Sequence, residues 1–579
     1  MKINFKISFL ITLFAFSVLF PQNKKTTEIF VNQIGYFPEA VKISAVISDT
    51  DTFRIFSLSE NKVVYKGKLS AKKYWAQSDE NVRLANFSEV TKPGSYVLLV
   101  DGAKSFPFEI SANLYDEISV ATLKAYYYQR ASVRLPAKYA GKWKRKTGLP
   151  DTSVIVHKSA ASKIREAGTK ISAPKGWFDA GDYNKYIVSS AVTTYTLILT
   201  YEFFPDYFET LRTNIPESEN EIPDILDEIL WNVRWMMKMQ DPTDGGVYHK
   251  LTCADFQPYV MPDKVKARRF VVGKSTAAAL DFSAVLSHFS ATLKKYRPEL
   301  AALSDSCLFM ARRAWNWAIE NPDAHFRNPP DIFTGEYSDN DLKDNFFWAG
   351  IELYFATGDK TYLKYLDELD VMVTDSLYWK HVANFGILTV LNGEKSLRTK
   401  ISNIAEIKNK FAESVEKIYG DNVKSPYRIS LDVFKWGSNA NLLNETMMLL
   451  AAYKFEGKKK YLDAAITNLD YVLGKNPLNI CYVTGFGKIS PLHIHHRISE
   501  ADGVPEPIPG FVVGGPNPNN TDDLGKEKYP SLLPAKCYLD DVGSYSTNEV
   551  AINWNAPLVF SLFAVKNFTK ETNITFYKK

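Results

Sequence analysis

The chain has 579 residues, of which 45% are hydrophobic and 23% are charged, and this balance is typical of a folded soluble protein with two or three folding units. Its formal net charge is only +5, which gives no reason to expect nucleic acid or an anionic membrane as a partner. The aromatic share of 14% is high and suits a carbohydrate cleft, although most aromatic side chains of a large protein lie in the core.

Residues 1–22 are predicted to be a signal peptide. Lys2 and Lys6 precede an apolar run that ends near Phe20, and a polar stretch follows at once. The alternative is a retained membrane anchor, because the small-residue cleavage motif is poor, but the run is short for a membrane span. We therefore expect a secreted or periplasmic protein that has no membrane contact after this segment is removed.

Residues 27–110 are predicted to form an Ig-like β-sandwich. Short apolar runs such as KISAVI, TFRIFS and KVVYKG are separated by polar or Gly/Pro turns. The clearest case starts at Pro93-Gly94, which makes a turn, and continues with a strand over residues 96–100 that ends at Asp101-Gly102.

After Ser111 the pattern becomes helical, and residues 113–570 are predicted to form one all-α domain without intervening strands. In residues 222–240, IPDILDEILWNVRWMMKMQ, apolar residues recur at i, i+3, i+4 and i+7, and Pro223 suits a first helical turn. Function is expected on the loops that this scaffold holds. The cysteines lack metal-type spacing and are interpreted as small buried hydrophobic residues, with a disulfide as the alternative in an oxidising compartment: Cys253, Cys307, Cys481 and Cys537.

Three loop segments combine ionisable groups with glycines and aromatics: residues 176–186, 485–497 and 538–557. Cleavage of a glycosidic bond needs a carboxylic acid that protonates the leaving oxygen and a carboxylate that handles water or attacks carbon. The two groups need different surroundings. An apolar or like-charged setting keeps the acid protonated, whereas hydrogen bonds keep the base ionised.

Asp179 and Asp182 are candidates for such carboxylates. Only Ala180 and Gly181 separate them, so both carboxylates can face one point and hold a single water. The alternative is a helix N-cap, for which Asp is well suited, and the local sequence alone favours the cap.

Glu549 precedes the apolar stretch VAINWNAPLVFSLF, near Tyr545 and Trp554. A partly apolar site there would raise the pKa of Glu549 toward that of a proton donor, whereas as an acid in a capping turn it would need no function. His493, His495 and His496 precede Arg497, whose charge argues against a metal site. Donors to sugar hydroxyls fit this cluster better, and a surface histidine cluster is the alternative.

These segments resemble glycoside hydrolase family 9, the cellulase family with an N-terminal Ig-like domain and an (α/α)6 barrel. VNQIGYFPEAVKISAVI is similar to the start of its Ig-like module, and GWFDAGDYNKY to its water-activating loop. WGSNANLLN, YVTGFG, HHR and VGGPN resemble further segments in the same order. The C-terminal pattern is the most specific and is complete here, counted from Tyr538: Asp540, Tyr545, Glu549, Ala551, Asn555 and Ala556.

The resemblance implies an inverting glycoside hydrolase. It makes Asp182 the general base, Asp179 its partner on the water and Glu549 the general acid, which should lie roughly 6.5–9.5 Å from the base. Asp540 and His495 fall on the family's other active-site positions. The implied substrate contacts are Arg497, His496, Trp177 and Tyr545.

The histidine segment departs from the family pattern, because Ile489 stands where Asn is usual and Ile494 where Pro is usual. The resemblance requires no cofactor but implies a structural calcium site in some members. Its candidate ligands here are Thr334, Gly335 and Asp344. Asn345 stands where the family usually has Glu, and the loss of a carboxylate weakens such a site.

The expected substrate is a β-1,4-glucan or a related mixed-linkage or xyloglucan chain, cut internally by a monomeric enzyme. One alternative is exo-action on cello- or glucosamine-oligosaccharides by the same mechanism. Another is a non-catalytic glycan-binding protein, against which the presence of Asp179, Asp182 and Glu549 together argues.

Overall fold

The computed structural model describes residues 27–368, 374–375, 377–393, 401, 403–519 and 521–575. The predicted signal peptide lies outside these residues. Among the helices described, none is both long enough and apolar enough to cross a bilayer. All four cysteines are buried free thiols, as expected of small hydrophobic residues.

The N-terminal region is a β-sandwich, as predicted. One sheet has the order β1-β2-β6-β5, and the other has the order β4-β3-β7-β8 with β9 also paired to β7. Phe53 and Ile55 on β3 are buried while Thr52 and Arg54 are exposed, the alternation expected of a sheet with one face on the core. The strands are β1 (Glu28–Phe30), β2 (Ile43–Ile47), β3 (Thr52–Ser57), β4 (Lys62–Lys68), β5 (Lys73–Trp75), β6 (Glu80–Asn86), β7 (Gly94–Val100), β8 (Ala103–Lys104) and β9 (Phe108–Ile110).

The rest of the described chain is mainly helical. Its α-helices are α1 (Asp116–Gln129), α2 (Ala137–Ala140), α3 (Ile187–Phe203), α4 (Pro205–Thr210), α5 (Asp224–Lys238), α6 (Thr276–Tyr296), α7 (Ala301–Glu320), α8 (Lys343–Thr357), α9 (Ala383–Asn392), α10 (Ile404–Lys424), α11 (Ser438–Glu456), α12 (Lys459–Val472), α13 (Arg497–Ala501), α14 (Tyr545–Asn548) and α15 (Ile552–Thr575). The 3₁₀ helices are Gly141–Trp143, Lys158–Ala160, Pro262–Lys264, Pro298–Leu300, Lys360–Glu368 and Lys526–Lys528.

Six helices pack in a closed ring. Helix α3 contacts α6, α6 contacts α8, α8 contacts α9, α9 contacts α11, α11 contacts α15, and α15 returns to α3. Helices α5, α7, α10 and α12 pack against members of this ring. This cyclic order is the one expected for the inner helices of the predicted barrel.

The expectation of a domain without strands is wrong. A third sheet, with the order β11-β10-β14-β13-β12, interrupts the helices. Its strands are two to five residues long, too short for a periodic apolar pattern to reveal them: β10 (Val154–Val156), β11 (Lys170–Ile171), β12 (Lys185–Tyr186), β13 (Tyr248–Thr252) and β14 (Phe270–Lys274).

The β-sandwich contacts the helical domain through the turn after β1. The Asn32 side-chain amide donates to Asp470 Oδ1 at 2.7 Å, and Gln33 Oε1 accepts the backbone N–H of Lys488 at 2.7 Å and that of Ile489 at 3.1 Å. The sandwich therefore holds the loop that leads into the histidine segment.

A charged cluster lies inside the ring, where α3, α6 and α8 meet. His288 Nδ1 lies 2.7 Å from Glu352, and its Nε2 lies 3.3 Å from Glu202. The two carboxylates raise the pKa of His288 well above its usual value, although burial opposes this. The Trp348 indole N–H also donates to Glu352 at 3.0 Å, so the cluster is a paired and hydrogen-bonded network.

We expect His288→Leu to lower the free energy of unfolding by about 3–5 kcal/mol, because two buried carboxylates would lose their cation. Because the pKa of His288 is raised in the folded state, this stabilisation is complete below about pH 6.5 and is lost as the pH rises through the folded-state value. Urea unfolding measured between pH 5 and 9 checks both effects. The matched control is Lys459→Met at the exposed pair with Asp463, where less than about 1 kcal/mol is expected.

Candidate active site

A cleft of about 470 Å³ opens at the N-terminal ends of the ring helices. Asp182, Tyr337, Trp379, Trp436 and Glu549 all line it, and each of them shortly precedes a different ring helix. Short segments that enter parallel helices meet at one end of a ring, so residues far apart in sequence become neighbours there.

The helix-cap interpretation of Asp182 is wrong. Helix α3 begins at Ile187, and Tyr186 occupies its N-cap position without a side-chain capping bond. Asp182 instead accepts two hydrogen bonds from Asn184, one from its backbone N–H and one from its side-chain amide, both at 2.9 Å. The Thr252 hydroxyl on β13 donates to Asn184 Oδ1 at 2.8 Å. The Asn184 side chain, which orients Asp182, is therefore fixed by a hydrogen bond of its own.

Asp179 is 1% exposed and accepts a hydrogen bond from the Tyr337 hydroxyl at 2.7 Å. Burial is the main cause that raises its pKa to about 7, and the charge of Asp182 adds to the rise. Tyr337 has a φ of 52°, in the left-handed region that a bulky side chain rarely adopts. Such backbone strain persists only where the surrounding structure enforces it.

Glu549 lies between α14 and α15 and is partly exposed to the cleft. Burial of its carboxyl group and the negative charge of Asp182 raise the pKa of Glu549 well above its usual value, while the charge of Arg497 opposes the rise. These surroundings favour the protonated form of Glu549. Glu549 directly follows α14 and does not cap the N-terminus of α15, which begins only at Ile552.

The three predicted segments meet at Gly181. A side chain on Gly181 would place its Cβ 2.1 Å from the carbonyl oxygen of His495, so only glycine permits this approach. The Gly181 carbonyl accepts hydrogen bonds from both the backbone N–H and Nη1 of Arg497, each at 3.0 Å. His495 forms a parallel bridge with Glu549, which joins the histidine segment to the acid.

Asp540 supports the histidine segment from behind. It accepts the backbone N–H groups of Leu492 at 2.8 Å and His493 at 2.9 Å, and the Asn548 amide at 2.9 Å. These bonds fix the loop at Ile489–Ile494, where the sequence departs from the family pattern. In this structure Asp540 therefore orients the histidine segment through hydrogen bonds to Leu492, His493 and Asn548.

His495 is 8% exposed, and burial lowers its pKa to about 4, which leaves the ring neutral near pH 7. Its Nδ1 lies 2.7 Å from the carbonyl oxygen of Val542, so this nitrogen carries the proton. Tyr545 packs against the His495 ring at 5.6 Å and the Trp436 ring at 5.7 Å, beside the cleft.

Arg497 is mostly buried at 7% exposure. Its Nε donates to the carbonyl of Gln257 at 2.6 Å, and its guanidinium group lies over the rings of Phe256 and Tyr259 at 5.7 and 5.6 Å. The side chain therefore links the β13–β14 loop to Gly181, close to Glu549.

The predictions of Trp177 and His496 as substrate contacts are wrong, because both side chains are buried away from the cleft. Trp177 has no exposed surface, and its indole N–H donates to Glu228 at 3.3 Å. His496 is 1% exposed and lies 2.9 Å from the Ser499 hydroxyl. A side chain without accessible surface cannot touch a ligand.

The predicted calcium ligands do not fit a metal ion. The ammonium group of Lys250 donates to the Gly335 carbonyl at 2.8 Å and to the Thr334 hydroxyl at 3.1 Å. The carboxylate of Asp344 accepts the backbone N–H groups of Asn345 and Val382 instead. The Lys250 side chain already donates to both of these oxygens, so the residues present do not fit the predicted site. Within the described ranges there is no cluster of three acidic, histidine or cysteine side chains suited to a metal.

Most of the aromatic side chains that line the cleft were not predicted from the sequence. Several large aromatic residues stand in loops outside the apolar helical patterns, which could have indicated a binding surface. Their positions are scattered along the chain, so the sequence does not show that they meet. They line the cleft together with the carboxylates: Phe256, Tyr337, Tyr378, Trp379 and Trp436. Flat apolar rings with polar edges suit the stacking of sugar rings.

Two family models match the chain. Residues 115–562 match glycosyl hydrolase family 9, and residues 24–105 match the cellulase N-terminal Ig-like domain. Xyloglucan-specific endo-beta-1,4-glucanase BoGH9A of Bacteroides ovatus is 41% identical over 552 residues, which cover 91% of this chain and 92% of that protein. Endoglucanase D of Acetivibrio thermocellus is 31% identical over 560 residues, covering 95% of this chain and 85% of that protein.

The fold is similar to a solved structure described as Bacteroides ovatus GH9. The TM-score is 0.87 at 39% sequence identity, with 93% of this chain and 99% of that chain covered. The family model spans the ring helices and all three segments that meet at Gly181. The chain therefore belongs to glycosyl hydrolase family 9.

Proposed function

We propose that this protein is an inverting endo-β-1,4-glucanase whose preferred substrate is xyloglucan or a similar soluble glucan. The observation that carries the proposal is the contrast between two carboxyl groups of one cleft. Asp182 accepts two hydrogen bonds from Asn184, which hold its carboxyl oxygens in a fixed orientation on one side of the cleft. Glu549 has a pKa raised by burial and by the charge of Asp182, which favours its protonated form.

The different surroundings of Asp182 and Glu549 support a single displacement, in which one group activates water and the other protonates the leaving oxygen. Asp182 takes a proton from water, and Asp179, held by Tyr337, binds the same water and directs it at the anomeric carbon. Glu549 donates its proton to the leaving glycosidic oxygen. The bond to the leaving sugar breaks as the bond to water forms, so the anomeric configuration inverts and no covalent intermediate or cofactor is needed.

The preference for a substituted glucan rests on the relatives. The name of the Bacteroides ovatus protein states xyloglucan specificity, and that protein is 41% identical to this chain. The aromatic lining of the cleft supports binding of several sugar rings, because each ring face can stack on a side chain. His495, Arg497 and Tyr545 are proposed to shape the wall next to Glu549.

The product pattern tests the proposal. We expect the viscosity of tamarind-type xyloglucan to fall rapidly while few reducing ends appear, with lower rates on barley mixed-linkage glucan, carboxymethylcellulose and chitosan oligomers. Proton NMR during the first turnovers should show the α-anomer of the new reducing end. Release of monosaccharide with little loss of viscosity would favour the exo-acting alternative, and binding without hydrolysis on every glucan would favour a glycan-binding protein.

We further propose that the protein is exported and acts as a monomer. The basic and apolar pattern of residues 1–22 supports export, and a polysaccharide substrate is met outside the cytoplasm. Amino-terminal sequencing of the mature protein from the periplasm and the medium tests cleavage near residue 22. Sedimentation of the purified protein tests the oligomeric state.

A further inference from the structure

Lys250 on β13 is a buried lysine without any exposed surface. Its ammonium group donates to Asn328 Oδ1 at 2.6 Å, to the Gly335 carbonyl at 2.8 Å and to the Thr334 hydroxyl at 3.1 Å. The Thr334 carbonyl lies 3.4 Å away. Buried oxygens that converge in this way need hydrogen-bond donors, and here the Lys250 side chain supplies them.

The neighbours of Lys250 on β13 hold the same segment. His249 Nε2 lies 3.0 Å from the Glu336 carbonyl, and burial lowers the pKa of His249 to about 3, so the neutral ring donates from this nitrogen. The Thr252 and Thr334 hydroxyls are hydrogen-bonded at 2.7 Å. Residues 249, 250 and 252 of β13 thus all form hydrogen bonds to residues 328–336.

Both aspartates of the cleft depend on this strand. Residues 328–336 lead directly into Tyr337, whose hydroxyl binds Asp179 and whose φ is 52°. Thr252 also donates to Asn184, the residue that holds Asp182. Burial lowers the pKa of Lys250 to about 7, and the charges of Asp182 and Glu336 oppose this fall.

We propose that Lys250 is a positioning residue of the hydrolytic site, whose hydrogen bonds to Asn328, Thr334 and Gly335 hold residues 328–337 in place and thereby position Tyr337 on Asp179. The inference rests on the proposed function for its kinetic consequence. Because this hydrogen-bond donor is part of the chain, it cannot dissociate, and the two aspartates keep their geometry without a bound metal ion. A displacement of about 1 Å at such a site lowers the rate up to about 100-fold.

Lys250→Met tests the proposal, and Lys42→Met is its matched control. Lys42 is also fully buried, and its ammonium donates to the carbonyls of Pro38 at 2.5 Å and Ala40 at 2.9 Å, but it lies in the β-sandwich. We expect both variants to lose thermal stability. Only Lys250→Met should lower kcat, by about 10- to 100-fold, with KM on xyloglucan changed by less than about twofold.

A crystal structure of Lys250→Met gives a readout that does not need activity. We expect the Tyr337 hydroxyl to move out of hydrogen-bond range of Asp179. If Lys250→Met does not fold, Asn328→Ala removes the nearest acceptor of the ammonium at a partly exposed position, and the same fall in kcat at constant KM is expected on a smaller scale.

Unchanged kcat in the folded Lys250 variant, an equal fall of kcat in Lys42→Met, or an unmoved Tyr337 would overturn the inference. A parent protein inactive on every glucan would instead refute the proposed hydrolysis. The crystal structure would then still decide whether Lys250 places Tyr337.

Discussion

Replacing Glu549 by Gln is expected to lower kcat on xyloglucan by about 10³-fold, with little change in KM. The amide has nearly the shape of the carboxyl group but holds no transferable proton, and loss of a positioned general acid removes about 10²–10⁴ of the rate. Initial rates from released reducing ends measure this loss. With an aryl glycoside whose leaving group needs no protonation, such as a 2,4-dinitrophenyl cello-oligosaccharide, the loss should nearly vanish.

The pH dependence of kcat/KM of the parent protein is a second test of Glu549 as the general acid. An acid acts only while it is protonated, so kcat/KM should fall on the alkaline side as the pH rises through the pKa of Glu549, which burial and Asp182 raise well above its usual value. This alkaline limb should disappear with the dinitrophenyl substrate.

Glu445→Gln is the control for Glu549→Gln. Glu445 is also partly exposed and has a pKa raised by burial, to about 8, but it does not line the cleft. We expect this variant to keep the kcat of the parent. An equal loss in both variants, or a loss in Glu549→Gln that does not depend on the leaving group, would show that Glu549 is not the acid.

Asp182→Asn is expected to lower kcat by about 10³- to 10⁴-fold on natural and activated substrates alike, because the water must be deprotonated whatever the leaving group is. The Asn184 backbone N–H can still donate to the new side chain, so the loop keeps much of its geometry. Hydrolysis of both substrate types, followed by absorbance and reducing-end assays, gives the comparison with Glu549→Gln.

The control for Asp182→Asn is Asp502→Asn. Asp502 accepts the backbone N–H of Val504 at 2.8 Å, which is the same local turn that Asp182 makes with Asn184, but it lies outside the cleft lining. We expect Asp502→Asn to hydrolyse glucan at the parent rate. If Asp182→Asn lost activity only on natural glucan, the assignment of acid and base would be reversed.

The sequence by itself indicated which groups are proposed to carry the chemistry. Asp179, Asp182 and Glu549 were predicted from the resemblance of their motifs to the family pattern, because motifs are properties of short stretches of chain, whereas the local sequence alone favoured a helix cap for the two aspartates. The β-sandwich and the long amphipathic helices were predicted for the same reason: their periodic patterns are local.

Only the tertiary structure decided which side chains reach the cleft. Trp177 and His496 stand in the correct motifs but point into the core, while Tyr337 meets Asp179 across 158 positions of sequence. Lys250 stands in none of the motifs found in the sequence, and only the fold brings Thr334 and Gly335 to its side chain. A contact between distant segments depends on how the ring helices and the short sheet place their loops, and no local pattern contains that information.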